Sequence, residues 1–159
     1  MQAFCVQSVD DLKVILAFAL IDRLKKEPPI ELASHIRSPV CLLFVRPRAS
    51  PGDKLLEQVE VSFEYWYHAT GSTLDIVLPG WADDKIFSAQ AYANFEKQIV
   101  DSTKWKPSGE TDALILDVVF DVESQSVDLD WSHVVYLPIE SKFSRASLGS
   151  RLKYSLLTN

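Results

Sequence analysis

The chain has 159 residues, of which 47% are hydrophobic and 24% are charged, and its formal net charge at pH 7 is −6. With a mean hydropathy of +0.03, this composition excludes a disordered tail, a collagen-like repeat and a coiled coil. A chain of this length is typical of one globular domain, which buries roughly two thirds of the surface of its unfolded state. We therefore predict a single domain over residues 1–159.

Cysteine content and apolar runs indicate where the protein resides. Cys5 and Cys41 are too few for a disulfide framework, and the N-terminus lacks the pattern of a secretory leader. The longest apolar run, Val14 to Ile21, has eight residues, whereas a membrane-spanning helix needs about 20. We therefore expect a cytoplasmic protein that does not enter a membrane.

Charge is unevenly distributed along the chain. Residues 1–52 carry five acidic and seven basic side chains, residues 53–140 carry seventeen and five, and residues 141–159 carry none and four. The middle is therefore strongly acidic, between two basic ends. Because a negative surface repels phosphate backbones, we expect no nucleic-acid partner unless the basic ends converge, and we interpret these charges mainly as solvated faces.

The first predicted element is a helix over 9–26, within a helical N-terminal extension over 1–36. Ser8 and Asp11 have the spacing of a capping box, and Pro28 ends the helix because proline lacks an amide donor. The apolar residues of this helix lie on two sides: Leu12, Ile15, Leu16, Ala19 and Leu20 on one, and Val14, Phe18 and Ile21 on the other. Such a helix is central in the fold or has a partner.

The next segments alternate between strand and helix patterns. The apolar run over 39–45 is typical of a strand buried on both faces, as in parallel sheets. Apolar residues at helical spacing predict a helix over 53–69, a short strand follows over 74–78, and a second helix follows over about 86–102. This alternation indicates parallel strands with right-handed crossovers.

The last third of the chain predicts a hairpin and a helix. Two strand-like stretches, 113–120 and 127–137, are separated by a short polar connection, which favours antiparallel pairing. Leu148, Leu152 and Leu156 are four residues apart and predict a helix over about 143–157. We therefore predict an α/β domain of three layers, a mixed sheet with helices on both faces, with its core over 39–157.

The order of elements over 39–157 is strand, helix, strand, helix, strand, strand, helix (βαβαββα), after the N-terminal helix. This order resembles that of the thioredoxin-like fold. Redox members of that fold place a Cys-x-x-Cys motif at the start of the helix after the first strand, whereas this chain has Pro47 to Gly52 there. Cys41 lies inside the strand, where a thiol is inert. We therefore predict a non-redox protein without a cofactor.

A small Rossmann-like sheet is the alternative architecture. It also accommodates a strand, helix and strand followed by further strands. The chain, however, has no G-x-G-x-x-G motif and no phosphate loop.

One segment suggests metal-dependent catalysis. Glu140 and Lys142 follow the second hairpin strand, and Asp117 and Asp121 belong to the first. Two carboxylates can hold a divalent cation while a lysine steadies the attacking water. This arrangement resembles the core of the PD-(D/E)xK nucleases, which implies that Asp117 or Asp121, Glu140 and Lys142 are catalytic candidates.

Two apolar strands each contain one carboxylate, Asp75 and Asp117. Because an ionised carboxylate is costly to bury alone, each must lie at a strand end, be paired, or face a cleft. If Asp75, Asp117 and Glu140 converge, they are the candidate metal ligands. The favoured interpretation is a solvated face or hydrogen bonds from loop amides.

Two further groups are candidate binding residues. Arg46, Arg48 and Ser50 lie at the carboxyl end of the first predicted strand, where open α/β sheets collect anionic ligands. Tyr65 is the aromatic residue expected to face outward and contact a partner. Trp81, on a loop at the end of a strand, is the second candidate, although tryptophan more commonly packs in the core.

Our leading hypothesis is a non-catalytic α/β protein-interaction module, acting as a homo-oligomer or as a subunit of a larger cytosolic assembly. It rests on the missing redox and phosphate motifs, the two-sided apolar helix and the surplus of aromatic residues. A metal-dependent nuclease is the first alternative. An anion- or nucleotide-binding domain is the second.

Overall fold

The computed structural model describes residues 3–26, 34–46, 74–82, 86–109 and 111–139. In these ranges the chain forms five strands and two helices, and the prediction of a mixed α/β domain is confirmed. The helices predicted over 53–69 and 143–157 lie outside the described residues. In chain order the elements are β1 (Ala3–Val6), α1 (Val9–Lys26), β2 (His35–Phe44), β3 (Asp75–Pro79), α2 (Ala89–Ser102), β4 (Thr111–Asp121) and β5 (Ser126–Ile139).

The five strands form one sheet in the order β1-β3-β2-β4-β5. β1, β3 and β2 are mutually parallel, whereas β4 is antiparallel to β2 and β5 is antiparallel to β4. The strand-like stretches near positions 40, 75 and 115 therefore share one layer, and the predicted antiparallel hairpin is confirmed.

β1 corrects our expectation that the N-terminal extension is entirely helical. It pairs with β3 from Ala3 to Val6. A strand of four residues gives too short a pattern for its period to be recognised, and its partner lies about 70 residues further along the chain. The N-terminal segment thus contributes an edge strand of the sheet before it enters α1.

β2 lies in the middle of the sheet and begins four residues earlier than predicted. Val40, Leu42 and Phe44 contact one core cluster, and Cys41 and Leu43 contact another. Since successive residues of a strand point to opposite faces, these two clusters define the first and second faces of the sheet. β3 pairs with β2 only from Val40 onward, whereas β4 is aligned with β2 along its whole length, from His35 to Phe44.

Both described helices pack on the first face. α1 contributes Leu12, Leu16 and Leu20 to its core, and α2 contributes Tyr92, Phe95 and Ile99. The bounds of α1 match the prediction, and the hydroxyl of Ser8 accepts a hydrogen bond of 3.0 Å from the amide of Asp11, as expected of a helix cap. The outer sides of α1 and α2 are therefore directed away from the sheet.

The apolar part of the second face is also buried. Its core consists of apolar residues of β2, β3 and β4, with Trp81 beside them. Cys41 and Ile76 on this face are fully buried. β2 is therefore enclosed on both sides, as its continuous apolar sequence predicts.

Gly80 forms the turn that leads from β3 toward α2. Its amide donates to the carbonyl of Val6 at 2.8 Å, and its carbonyl accepts from the amide of Ser88 at 2.8 Å. Its φ is +82°, and a Cβ at this position would lie 2.6 Å from the Cβ of Tyr92. Glycine is required here both by the backbone conformation and by the close approach of α2.

We expect Gly80→Ala to destabilise the fold by roughly 2–5 kcal/mol, because an alanine here has a strained left-handed backbone and its Cβ clashes with Tyr92 of α2. Gly109→Ala is the matched control, since Gly109 has nearly the same φ of +83° but no atom within 4 Å of the place where a Cβ would lie. This control is expected to cost only about 1–2 kcal/mol. Urea unfolding of both variants measures the difference, and equal losses would show that the contact with Tyr92 is unimportant.

Candidate functional site

The outward side of α1 carries large apolar side chains. Val14 is 55% exposed and Phe18 is 69% exposed, one helical turn apart, on the side opposite Leu12 and Leu16. Ile21 lies one further turn along and is half-buried. We name Val14, Phe18 and Ile21 the outer ridge of α1. The sequence predicted this second apolar side, and the described elements leave its centre uncovered.

The outward side of α2 differs from that of α1. It packs on the same face of the sheet as α1, but its outward side is polar. Gln90 donates to Asn94 at 3.0 Å, and Lys97 forms an ion pair with Asp101. The exposed apolar side chains of α1 are therefore specific to that helix and are not general to this side of the domain.

A buried ion pair connects the C-terminal end of α1 to the sheet. Nη2 of Arg23 lies 2.8 Å from Oδ2 of Asp75, whose side chain is 3% exposed. Nη1 of Arg23 also donates to the hydroxyl of Ser38 at 3.4 Å. Asp75, one of the two carboxylates in apolar strands, is thus paired and lies at the start of β3. Its position indicates a structural role in fixing α1 on the sheet.

Five ionisable residues on the second face form what we name the charged strip. Nη1 of Arg37 lies 2.7 Å from Oδ2 of Asp130 and 3.6 Å from Oδ2 of Asp117. Nε2 of His35 lies 3.3 Å from Oδ2 of Asp121. The strip crosses β2, β4 and β5, and it begins where the apolar core of the second face ends.

Nearby donors stabilise the carboxylates of the charged strip. Hydrogen bonds from the hydroxyl of Ser132 and from Arg37 hold the pKa of Asp130 well below its usual range. The amide and hydroxyl of Ser124 lower the pKa of Asp121. In turn, Asp130 raises the pKa of Arg37. At neutral pH Asp130, Asp121 and Arg37 are therefore ionised, and each is already hydrogen-bonded or paired within the chain.

The structure does not bring Asp75 and Asp117 together. Asp75 is aligned with Val40 of β2, and Asp117 is aligned with Pro39. Because these two neighbours point to opposite faces, the two carboxylates do too. Glu140 and Lys142 lie outside the described residues. Within the ranges given above, no group of three or more His, Cys, Asp or Glu side chains is placed to hold a metal ion.

Arg46 lies just beyond the end of β2, where we expected an anion site. Its Nη2 is 3.1 Å from each carboxylate oxygen of Glu96, and its guanidinium lies 4.8 Å from the centre of the Tyr92 ring. Its charge is therefore already compensated by α2, and an anionic ligand would have to compete with Glu96. Arg48 and Ser50 lie outside the described residues.

Trp81 lies in the core rather than on the surface. Its indole N–H donates to the carbonyl of Val45 at 3.0 Å, and its ring centre is 4.9 Å from that of Phe87. It therefore stabilises the junction between β2 and the turn after β3. Tyr65, the aromatic residue expected to face outward, lies outside the described residues.

No local sequence pattern signals the ion pairs that organise these regions. Arg37 and Asp130 are 93 residues apart, and Arg46 and Glu96 are 50 residues apart. Such pairs can be identified only from the three-dimensional fold, because Arg37 and Asp130 lie on strands separated by β4, and Arg46 and Glu96 lie on a strand end and on α2.

Comparisons of the chain with protein-family models, with curated proteins and with solved structures find no match. Neither of the two described helices is both long and apolar enough to cross a lipid bilayer. Function is therefore argued from the geometry of the described residues.

We expect Ser132→Ala to destabilise the protein at neutral pH and to move the pKa of Asp130 back toward its ordinary value, because the variant removes a hydrogen bond to the ionised carboxylate. Asp130 has a lowered pKa in the folded state, so its ionised form stabilises the fold above the ordinary aspartate value of about 4. This stabilisation is lost as the pH falls through the lowered pKa. Urea unfolding at pH 7 measures the loss of stability, and the carboxyl carbon-13 shift of Asp130, followed by NMR as the pH is lowered, measures its pKa in the variant and in the wild type.

Ser102→Ala is the matched control, because the hydroxyl of Ser102 donates to the backbone carbonyl of Gln98 and to no carboxylate. It is expected to leave the pKa of Asp130 unchanged. A pKa of Asp130 in Ser132→Ala that equals the wild-type value would contradict the role assigned to this hydrogen bond.

Proposed function

We propose that the protein is a non-catalytic interaction module that binds a protein partner through the outer ridge of α1. The observation that carries this proposal is the 69% exposure of Phe18 in the middle of an 18-residue helix. Contiguous exposed apolar residues mark interaction sites, and aromatic side chains are frequent anchors of protein interfaces.

The ridge is displayed on a rigid element, which supports the same proposal. Leu12, Leu16 and Leu20 are buried on the inward side of α1. Arg23 also holds the C-terminal end of the helix through its ion pair with Asp75. Because the helix is already fixed, binding at the ridge loses little conformational entropy.

For the fold, we propose the three-layer, thioredoxin-like arrangement that the order of elements suggests. β2, β3, α2, β4 and β5 follow one another in the expected order, and the apolar part of the second face of the sheet is buried although both described helices lie on the first. In this proposal the segments 53–69 and 143–157 supply the helices that cover the second face. The unit of β1 and α1 precedes this core.

The two alternative functions have less support. In a PD-(D/E)xK-like site, Asp117 would be expected to face a cation, but its neighbour is the guanidinium of Arg37. In an anion site, Arg46 would be expected to be accessible to the ligand, but Glu96 contacts it through both oxygens. Neither arrangement favours the corresponding function over partner binding.

We expect the Cys41 thiol to be inert in the native protein, because burial raises its pKa to about 12 and the proposed helices cover it. In a Cys5→Ser background, an aromatic disulfide reagent at pH 8 should modify Cys41 only after denaturation. Adding Val14→Cys to that background provides the control, since this exposed position should react at once. Rapid native reaction of Cys41 would show that the second face is open.

We expect a photo-reactive phenylalanine analogue at position 18 to form a covalent adduct of defined mass in the cells that make the protein. The same analogue at Gln98, on the polar outward side of α2, is the control and should give none. Adding Val14→Asp to the position-18 variant should abolish the adduct, because it places a charge in the ridge. No more adduct at position 18 than at position 98 would contradict the proposed function.

A further inference from the structure

The two ends of α1 carry opposite, exposed charges. Asp10 and Asp11 are exposed in its first turn, and Lys25 and Lys26 are exposed in its last. The outer ridge lies between them. At a rise of about 1.5 Å per residue, the two charged ends are roughly 22 Å apart.

The two charged ends are symmetric about one residue. Phe18 lies midway in sequence between the acidic pair, 10 and 11, and the basic pair, 25 and 26. It is also the most exposed large apolar residue of the ridge. If a second α1 lies antiparallel across this point, the acidic end of each helix faces the basic end of the other, and the two Phe18 side chains meet at the centre.

We infer that the partner of the outer ridge is a second copy of this chain, bound through an antiparallel α1–α1 contact with a twofold axis at Phe18. This inference rests on the proposed function and specifies its partner. Dimers with twofold symmetry are the commonest homo-oligomers, because both copies use the same self-complementary surface. A parallel contact would instead oppose Asp10 and Asp11 to the same residues of the other copy.

The end charges can take part in such a contact. Among the described residues, Asp10, Asp11 and Lys25 take part in no ion pair. Lys26 pairs with Asp22 at 2.7 Å, but both side chains are largely exposed. An exposed pair of this kind contributes little to stability, so Lys26 can turn to an acidic partner at small cost.

The size of the contact sets the expected affinity. Stable interfaces bury about 1,200–2,000 Å² in total, and one pair of crossed helices of this length lies at or below that range. We therefore expect a reversible dimer with a dissociation constant in roughly the micromolar range.

The test is sedimentation equilibrium of the full 159-residue chain and two charge-reversal variants, Asp10→Lys/Asp11→Lys and Lys25→Asp/Lys26→Asp. In a homodimer of either variant, like charges face each other at both ends of the contact. We therefore expect the dissociation constant of each variant to be at least about tenfold higher than that of the wild type. An equimolar mixture should form a heterodimer of nearly wild-type affinity, because unlike charges then meet at both ends. Phe18→Asp should be monomeric throughout.

The mixture separates charge pairing from helix stability. Each reversal also opposes the helix dipole, and this effect remains in the mixture, so a recovery of affinity comes from the pairing of the two helices. A mixture that associates no better than its components overturns the antiparallel contact. Wild-type association that Phe18→Asp leaves unchanged overturns the assignment of the interface to α1.

The outcome also distinguishes this inference from the proposed function. A wild-type chain that is monomeric at several hundred micromolar, with a position-18 adduct whose mass is not that of two chains, overturns self-association and retains partner binding. No adduct at position 18 overturns both. An adduct with the mass of two chains, with rescue in the mixture, supports both.

Discussion

The burial of β2 on both faces is the constraint on which the rest of the structure depends. Its residues alternate between two apolar clusters, so the strand is stable only inside a sheet that is covered on both sides. Parallel pairing with β3 and antiparallel pairing with β4 satisfy its backbone groups. β3 in turn supports β1, and β4 supports β5, so each remaining strand is positioned, directly or through one neighbour, by β2.

This constraint determines where the surface chemistry lies. β2 and the residue after it are apolar from Val40 to Val45, but the strand is polar at His35 and Arg37. The charged strip therefore occupies the part of the second face where the core ends. On the first face, the inward side of α1 is sufficient to cover its share of the sheet. Val14 and Phe18 remain exposed beyond that share, and they form the centre of the outer ridge.

Those features that have a local signal could be predicted from the sequence. The bounds of α1 follow from the capping residues and Pro28, and its two apolar sides follow from helical spacing. β1 escapes prediction because four residues carry too little periodicity. The pairing of Arg37 with Asp130 depends on sheet register, and also on an irregularity in which the pairing of β5 with β4 shifts between Ile115 and Asp117. Local patterns thus identify the ridge, whereas the ion pairs need the three-dimensional alignment.

The helix dipole alone is an insufficient explanation of the charges on α1. A dipole favours acidic residues in the first turn and basic residues in the last, and α1 follows this pattern. α2, however, has no acidic residue in its first turn and no basic residue in its last, although it packs on the same face and is capped by Ser88. The fold therefore does not demand such charges on its helices. They occur on the one described helix that also exposes an apolar ridge, and the ridge is centred between them, which is the arrangement that an antiparallel contact requires.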